Sequence, residues 1–430
     1  MILVAKTYWG TTPFWFRRPP EGAQCTSLAL RTDDMRQIRA LWWTRAGVAA
    51  PRTGVVVMHP RVDFTHHYTV PRLVAAGFGV LAANSRHVGN DTMCEHEELV
   101  LDVAACVKWL RAKAGVQRVV LLGNCGGGAL SGYYQAQASL APSARLERSP
   151  GGAPTHFARA DMTPADAMVL VAAHRGQGHV LLRSIDAAVV DEADPFASDA
   201  SLDVYDVRNG FLEPPEPSSF APDFVARVRA AQVERVRRID ARARELLAEH
   251  TAATEESERA GFADRPFPER QAVLQRRAYE PIMLVQRTMA NPAFVDPRID
   301  ADPAGAKREY GSLVSDRPDL MNMAAMGFAR TCTPRAWLST WSGLSARADL
   351  VETARRIDVP TLVVHATCDR EVYFDRDVRP VFDACAASDK RLERIEGARH
   401  YFEPDFGERE TPDVDRAMDV VVPWLRERMP

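Results

Sequence analysis

The sequence predicts an α/β chain with a mostly parallel sheet flanked by helices and interrupted once by a long helical insertion. Three observations carry this expectation. Short, continuously apolar runs such as "GVVVMHP" (54–60), "FGVLAANS" (78–85), "RVVLLG" (118–123) and "DAMVLVAAH" (166–174) read as strands buried on both faces. Amphipathic or turn-closed helical patterns separate them, the rhythm of a parallel sheet with crossover helices. The rhythm stops after His174 and resumes only at "IDVPTLVVHATCD" (357–369).

In chain order, residues 1–24 read as an irregular, aromatic-rich arm ending in "RRPPEG". "TSLALRT" and "QIRALWWTR", separated by "DDM", form an antiparallel hairpin. "TVPRLVAAG" is a short helix closed by Gly77. Residues 94–114 form a strong helix, with Leu99, Val103, Cys106, Val107 and Leu110 on one stripe. "ALSGYYQAQASLA" is the helix after the third apolar run and its glycine turn. The core thus occupies residues 25–185 and 346–430, and 186–345 is the insertion. Its main element is a long helix within "SSFAPDFVARVRAAQVERVRRIDARARELLAEH" (218–250). Phe224, Val228, Ala231, Val236, Ile239 and Leu246 form its buried face, and its arginines form a solvated one. The core closes with a helix "RPVFDACAASD", a strand "KRLERIEG" and a helix starting at Thr411 and Pro412. "NSRHVGND" reads as a structural turn.

The chain has 430 residues, 46% of them hydrophobic, and a net charge of −3, which gives no field to draw it to nucleic acid or an acidic membrane. Seven cysteines at 25, 94, 106, 125, 332, 368 and 385 include no CxxC pair, so neither a zinc ribbon nor a redox dithiol is expected. Scattered thiols suit a reducing compartment, and the N-terminal residues are a poor signal peptide. A cytoplasmic protein is therefore expected. No apolar run approaches the roughly 18 residues of a membrane span. No His/carboxylate spacing suggests a metal, and no cofactor is expected; His66 and His67, being adjacent, point to different faces.

The chemistry concentrates in "GNCGGG" (123–128), a G-x-C-x-G turn between a strand and a helix. A nucleophile on so sharp a turn needs small residues two before and two after it, which Gly123 and Gly127 provide. Gly126 and Gly128 exceed that need; glycine costs about 1 kcal/mol relative to alanine in a helix. Close approach of a substrate or of the inserted segment is one reason for them. Two partners follow: Asp369 just past one buried strand and His400 just past the next, in "RIEGARHYFEP". Nucleophile, acid and histidine in this order, each at a strand's C-terminal end, resemble the α/β-hydrolase superfamily. The cysteine elbow is similar to that of dienelactone hydrolase, a much shorter protein without such an insertion. The resemblance covers about residues 25–185 and 345–430. It implies the α/β-hydrolase fold, Cys125 as nucleophile, His400 as general base and Asp369 as its orienting acid, with Asp375 a rival acid further from the strand end. It also implies an oxyanion hole with one donor at Gly126 and a second from the loop "VMHPRVD". Proline at 60 has no N–H, so that donor is expected at Arg61 or Val62. The Arg61 guanidinium is also a candidate contact for an anionic substrate. Candidate pocket residues are His59, His66, Tyr68, His174, Asn124 and Tyr401.

A thiolate is a strong nucleophile and a good leaving group. It suits activated acyl groups: esters with good leaving groups, lactones, thioesters or β-dicarbonyls. The helix N-terminus and a protonated His400 would favour a Cys⁻/His⁺ pair at rest. The expected function is cofactor-free hydrolysis of a small acyl substrate through a covalent thioester, under a cap formed by the insertion. The alternative is an acyltransferase or cyclase in which another acceptor replaces water. Substrate identity and oligomeric state are not legible in the sequence.

Overall fold

The computed structural model describes residues 19–48, 50–325, 327–404 and 410–429. Most of the expected N-terminal arm, residues 1–18, lies outside the described residues. The hairpin forms from β1 (Ala23–Arg31) and β2 (Gln37–Arg45), paired antiparallel in register Ala23↔Arg45 through Arg31↔Gln37. The apolar runs become β3 (Thr53–His59), β4 (Gly79–Asn84), β5 (Arg118–Asn124), β6 (Ala167–Val171), β7 (Thr361–Ala366) and β8 (Lys390–Ile395). Together they form one eight-stranded sheet in the order β1-β2-β4-β3-β5-β6-β7-β8. Strands β3 to β8 are mutually parallel, and β2 joins β4 antiparallel. Residues of β3, β6 and β7 are buried throughout, which is why they read as unbroken apolar runs instead of alternating ones.

Helices cover both faces. On one lie α2 (His96–Trp109), extended by one wider turn to Ala114, and α3 (Gly126–Ala138); Leu99, Val103, Cys106, Leu110, Leu130 and Tyr134 fill that layer. Gly115, at φ 68°, terminates the extended helix. On the other face are α1 (Val70–Ala75) and the C-terminal helix Pro412–Arg428, whose Val414, Met418, Val421 and Leu425 pack with Leu73 and Val74.

Between β6 and β7 the chain leaves the sheet. It forms α4 (Gln177–Ser184), the 37-residue α5 (Pro222–Glu258) and α6 (Phe267–Ala278). Much of the remainder is loop and single turns, with one two-residue strand pair, Met283–Leu284 against Thr331–Cys332, that the sequence pattern does not show. This segment has its own apolar centre, built from Val228, Val236, Ile239, Met289, Phe294 and Trp337. On α5, Phe224, Val228, Val236 and Ile239 are buried as expected, while Ala231 and Leu246 are only partly so. The expected solvated arginine face is wrong at Arg235, which is fully buried. Its guanidinium donates to the Glu192 carboxylate at 2.8 and 2.7 Å and to the carbonyls of Asp186 and Arg287. A buried planar cation is tolerable when its N–H groups find such acceptors. No described helix is long and apolar enough to cross a membrane.

Candidate active site

Cys125 sits between β5 and α3 with φ 55° and ψ −130°, a backbone conformation that non-glycine residues rarely adopt. Its N–H is tied to the carbonyls of Val171 and Ala172 at the end of β6. The flanking glycines are explained by how closely the turn is packed. A methyl group on Gly123 would lie 2.5 Å from the Cα of Gly128, and one on Gly127 would lie 2.4 Å from the carbonyl oxygen of Met58. One on Gly128 would meet the Ala173 methyl at 2.4 Å. The run of glycines therefore answers to β3 and the end of β6, with Gly126 facing the Gln177 amide and His59 Nε2.

Asp369 follows β7, and its carboxylate is held at both ends. Oδ1 accepts the N–H groups of Glu371 (2.7 Å) and Val372 (3.0 Å), and Oδ2 pairs with His400 Nδ1 at 2.7 Å. The rival Asp375 is exposed and paired with Arg379. The other ring nitrogen of His400, Nε2, is buried with no partner at hydrogen-bond distance. It belongs to a group in which Cys125 Sγ, a Glu371 oxygen and a His400 nitrogen lie within 4.8 Å of one another. Burial would lower the His400 pKa, but the Asp369 carboxylate and the Cys125 sulfur outweigh it and hold it well above the ordinary histidine value. The structure thus brings Cys125, His400 and Asp369 together from three separate strand ends.

Glu371 was not anticipated. The Asp369 side chain bonds forward to the backbone, and this turn folds Glu371 back so that its Oε1 lies 3.7 Å from Cys125 Sγ, placed to accept the thiol proton. Burial, opposed by His400, raises the Glu371 pKa. The sulfur consequently faces a carboxylate as well as an imidazole, so a Cys⁻/His⁺ pair has a competitor for its proton. The only sequence signal was an acid two residues after a strand-end aspartate. The same three donor atoms are close enough together for one metal ion to reach all of them.

The other candidates divide. Tyr401 is buried; burial, then the Cys125 sulfur and Glu371, push its phenol well above the ordinary value. Tyr68 is also buried, and burial chiefly, with Glu403 and Cys125, raises its phenol. His59 and His174 are buried, and burial first of all keeps both neutral. His66 does not join them: it is exposed and stands edge-on to Trp43. Asn124 is fully buried; its amide donates to Val171 O and accepts from His67, joining the end of β5 to that of β6. One nitrogen of the Arg61 guanidinium, Nη1, donates to both carboxylate oxygens of buried Asp91, at 2.9 and 2.8 Å, and the guanidinium carbon lies 5.0 Å from the centre of the Trp341 ring. Its charge is thereby paired with that of Asp91. The expected oxyanion donors Arg61 N–H and Val62 N–H both point to His59 Nδ1, at 3.1 and 3.0 Å. A cleft of about 300 Å³ lined by Asp34, Glu95, Glu97 and Arg335 contains none of the Cys125 group.

The strand order, the antiparallel edge formed by β1 and β2, and Cys125, Asp369 and His400 placed after β5, β7 and β8 decide the architecture. The fold is that of the α/β-hydrolases. No family model matches the sequence, and neither does any curated protein. Among solved structures, DcsB in complex with its substrate analogue aligns over 94% of this chain and 99% of its own, at 11% identity and a TM-score of 0.47. An esterase from Pyrococcus furiosus aligns over 98% and 99%, at 10% identity and 0.47. Brefeldin A esterase, a bacterial homologue of human hormone sensitive lipase, aligns over 98% and 81%, at 12% identity and 0.46.

Proposed function

We propose that the protein hydrolyses an activated small-molecule ester, lactone, thioester or β-dicarbonyl through a covalent thioester on Cys125. The observation that carries this reading is the Cys125 elbow, strained at φ 55°, grouped within 4.8 Å of a histidine that Asp369 holds by its far nitrogen. In the first step the sulfur attacks the acyl carbon and the carbonyl π pair moves to oxygen. As that pair returns, the bond to the leaving group breaks, and His400 Nε2–H supplies the leaving group's proton. In the second step His400 takes a proton from water, which attacks the thioester; the acid leaves and the thiol is restored. Asp369 keeps the Nδ1 proton in place and stabilises the imidazolium.

The segment between β6 and β7 acts as the cap. Phe328 and Trp341 stack over Arg61, and Asn291 donates to the Tyr373 hydroxyl. These contacts join the inserted segment to the loops after β3 and β7, which supports a role in shaping the substrate space. Cys125, His400 and Asp369 are all buried, as suits an intermediate that must meet one acceptor and exclude others.

The test is turnover of p-nitrophenyl acetate and an acyl thioester by the parent and by Cys125→Ala, with intact-mass detection of an acyl adduct. The adduct and all turnover are expected to vanish in the variant; turnover that survives refutes the assignment. Products formed with and without an added alcohol or amine separate hydrolysis from acyl transfer, because only transfer yields a new ester or amide.

A further inference from the structure

Neither backbone N–H expected to serve the oxyanion in the loop after β3 is spare. Pro60 has no N–H, and those of Arg61 and Val62 both donate to His59 Nδ1. An imidazole nitrogen that accepts hydrogen bonds carries no proton, so the proton of neutral His59 is on Nε2. That Nε2 is buried and has no hydrogen-bond partner, although buried donors in proteins are almost always paired. It faces the nucleophile turn: a methyl group on Gly126 would lie 3.0 Å from it. The Gln177 side-chain nitrogen converges on the same point, 2.4 Å from that methyl position, and is likewise buried without a partner. Gly126 opens α3, so its own N–H has no acceptor within the helix. Three donors therefore converge on Gly126, the residue directly after Cys125, and leave no room for a side chain there.

We infer that the His59 Nε2–H, with the Gln177 amide beside it, is the second oxyanion donor of this enzyme, replacing the backbone N–H of the β3 loop. The inference rests on the acyl-transfer reading above. When the sulfur–carbon bond forms, the carbonyl pair moves to oxygen, and the O⁻ accepts from Gly126 N–H and His59 Nε2–H. When it collapses, the pair returns and the leaving-group bond breaks. His59 keeps its proton throughout, because its Nδ1 is already occupied by two N–H donors and burial opposes a charged ring.

The experiment compares two reactions of the same thiol. Acylation by p-nitrophenyl acetate in a single turnover develops an oxyanion. Alkylation by iodoacetamide displaces iodide and develops none, so it reports whether the elbow is intact. His59→Asn retains an oxygen where Nδ1 stood, to accept from Arg61 and Val62, but has no atom at Nε2. His59→Gln places an amide nitrogen near Nε2. In His59→Asn acylation should fall about 10²- to 10³-fold, the usual effect of losing one such donor, with alkylation of Cys125 within about twofold of the parent. His59→Gln should recover part of the acylation rate. Gly126→Ala, whose methyl would press on both the Gln177 amide nitrogen and His59 Nε2, should show the same split. Equal loss of both reactions in His59→Asn and Gly126→Ala, or acylation at the parent rate in His59→Asn, overturns the inference. A parent enzyme that is alkylated but never acylated at Cys125 overturns the hydrolase reading itself, and that result is visible before any variant is compared.

Discussion

Replacing Asp369 with asparagine changes one atom type in a group whose orientation the backbone dictates. The N–H groups of Glu371 and Val372 require an acceptor at the Oδ1 position, so the amide oxygen of asparagine must sit there. Its NH₂ then replaces the oxygen that lies 2.7 Å from His400 Nδ1. Two donors cannot share that contact. His400 must give up the Nδ1 proton and carry it on Nε2, facing the sulfur, where it can no longer accept one. The imidazolium also loses the anion that holds its pKa well above the ordinary value against the effect of burial. Loss of orientation in such triads costs up to about 10⁴ in rate, or about 5 kcal/mol of barrier. We expect Asp369→Asn to lower kcat for p-nitrophenyl acetate by about 10³- to 10⁴-fold. The alkaline limb of the pH–rate profile should move to lower pH, because a histidine with a raised pKa keeps its proton to higher pH than one without its carboxylate. The thermal midpoint should change little. The assay is steady-state kinetics across pH beside a melting curve, with Asp375→Asn as the control. The reasoning is refuted if Asp369→Asn stays within about tenfold of the parent, or if Asp375→Asn loses more.

Other outcomes follow from the same contacts. Glu371→Gln removes the anion facing the sulfur and so favours the thiolate; alkylation of Cys125 at pH 6 should rise several-fold, and an unchanged or slower rate would mean that Glu371 does not govern the thiol proton. Cys125→Ser should fold and lose nearly all turnover, because a hydroxyl needs His400 to remove its proton during attack; activity near that of the parent would show that no thiolate is used. Arg235→Ala strands the Glu192 carboxylate and the carbonyls of Asp186 and Arg287, and urea unfolding should show a loss of about 3–5 kcal/mol. A loss below about 1 kcal/mol would mean that the arginine is not supporting the inserted segment.

Much of the core was legible because its strands are short and buried on both faces, which forces runs such as "VVVMH" and "TLVVHA" that few other environments require. The glycine-rich turn at Cys125 was legible for a similar reason, since only glycine fits where the turn meets Met58 and Ala173. Arg235 shows the opposite case. Helical periodicity placed it among solvated arginines, yet its acceptors come from positions 186, 192 and 287, which no local pattern connects to it. The same holds for Arg61, whose partner Asp91 lies on another loop, and for His66, which turns outward to Trp43 while its neighbour His67 turns inward.

Sequence alone determined the fold class and the order of Cys125, Asp369 and His400 at successive strand ends, because these depend on residue type, backbone tolerance and position along the chain. Tertiary structure decided what surrounds the sulfur. Glu371 reaches it through a turn made by Asp369, and His59 offers Nε2–H because two backbone N–H groups occupy its other nitrogen. Gln177 arrives from the start of a helix beyond β6. Those assignments turn on side-chain direction and protonation, which are settled by hydrogen-bond partners distant in the chain and leave no periodic trace in it.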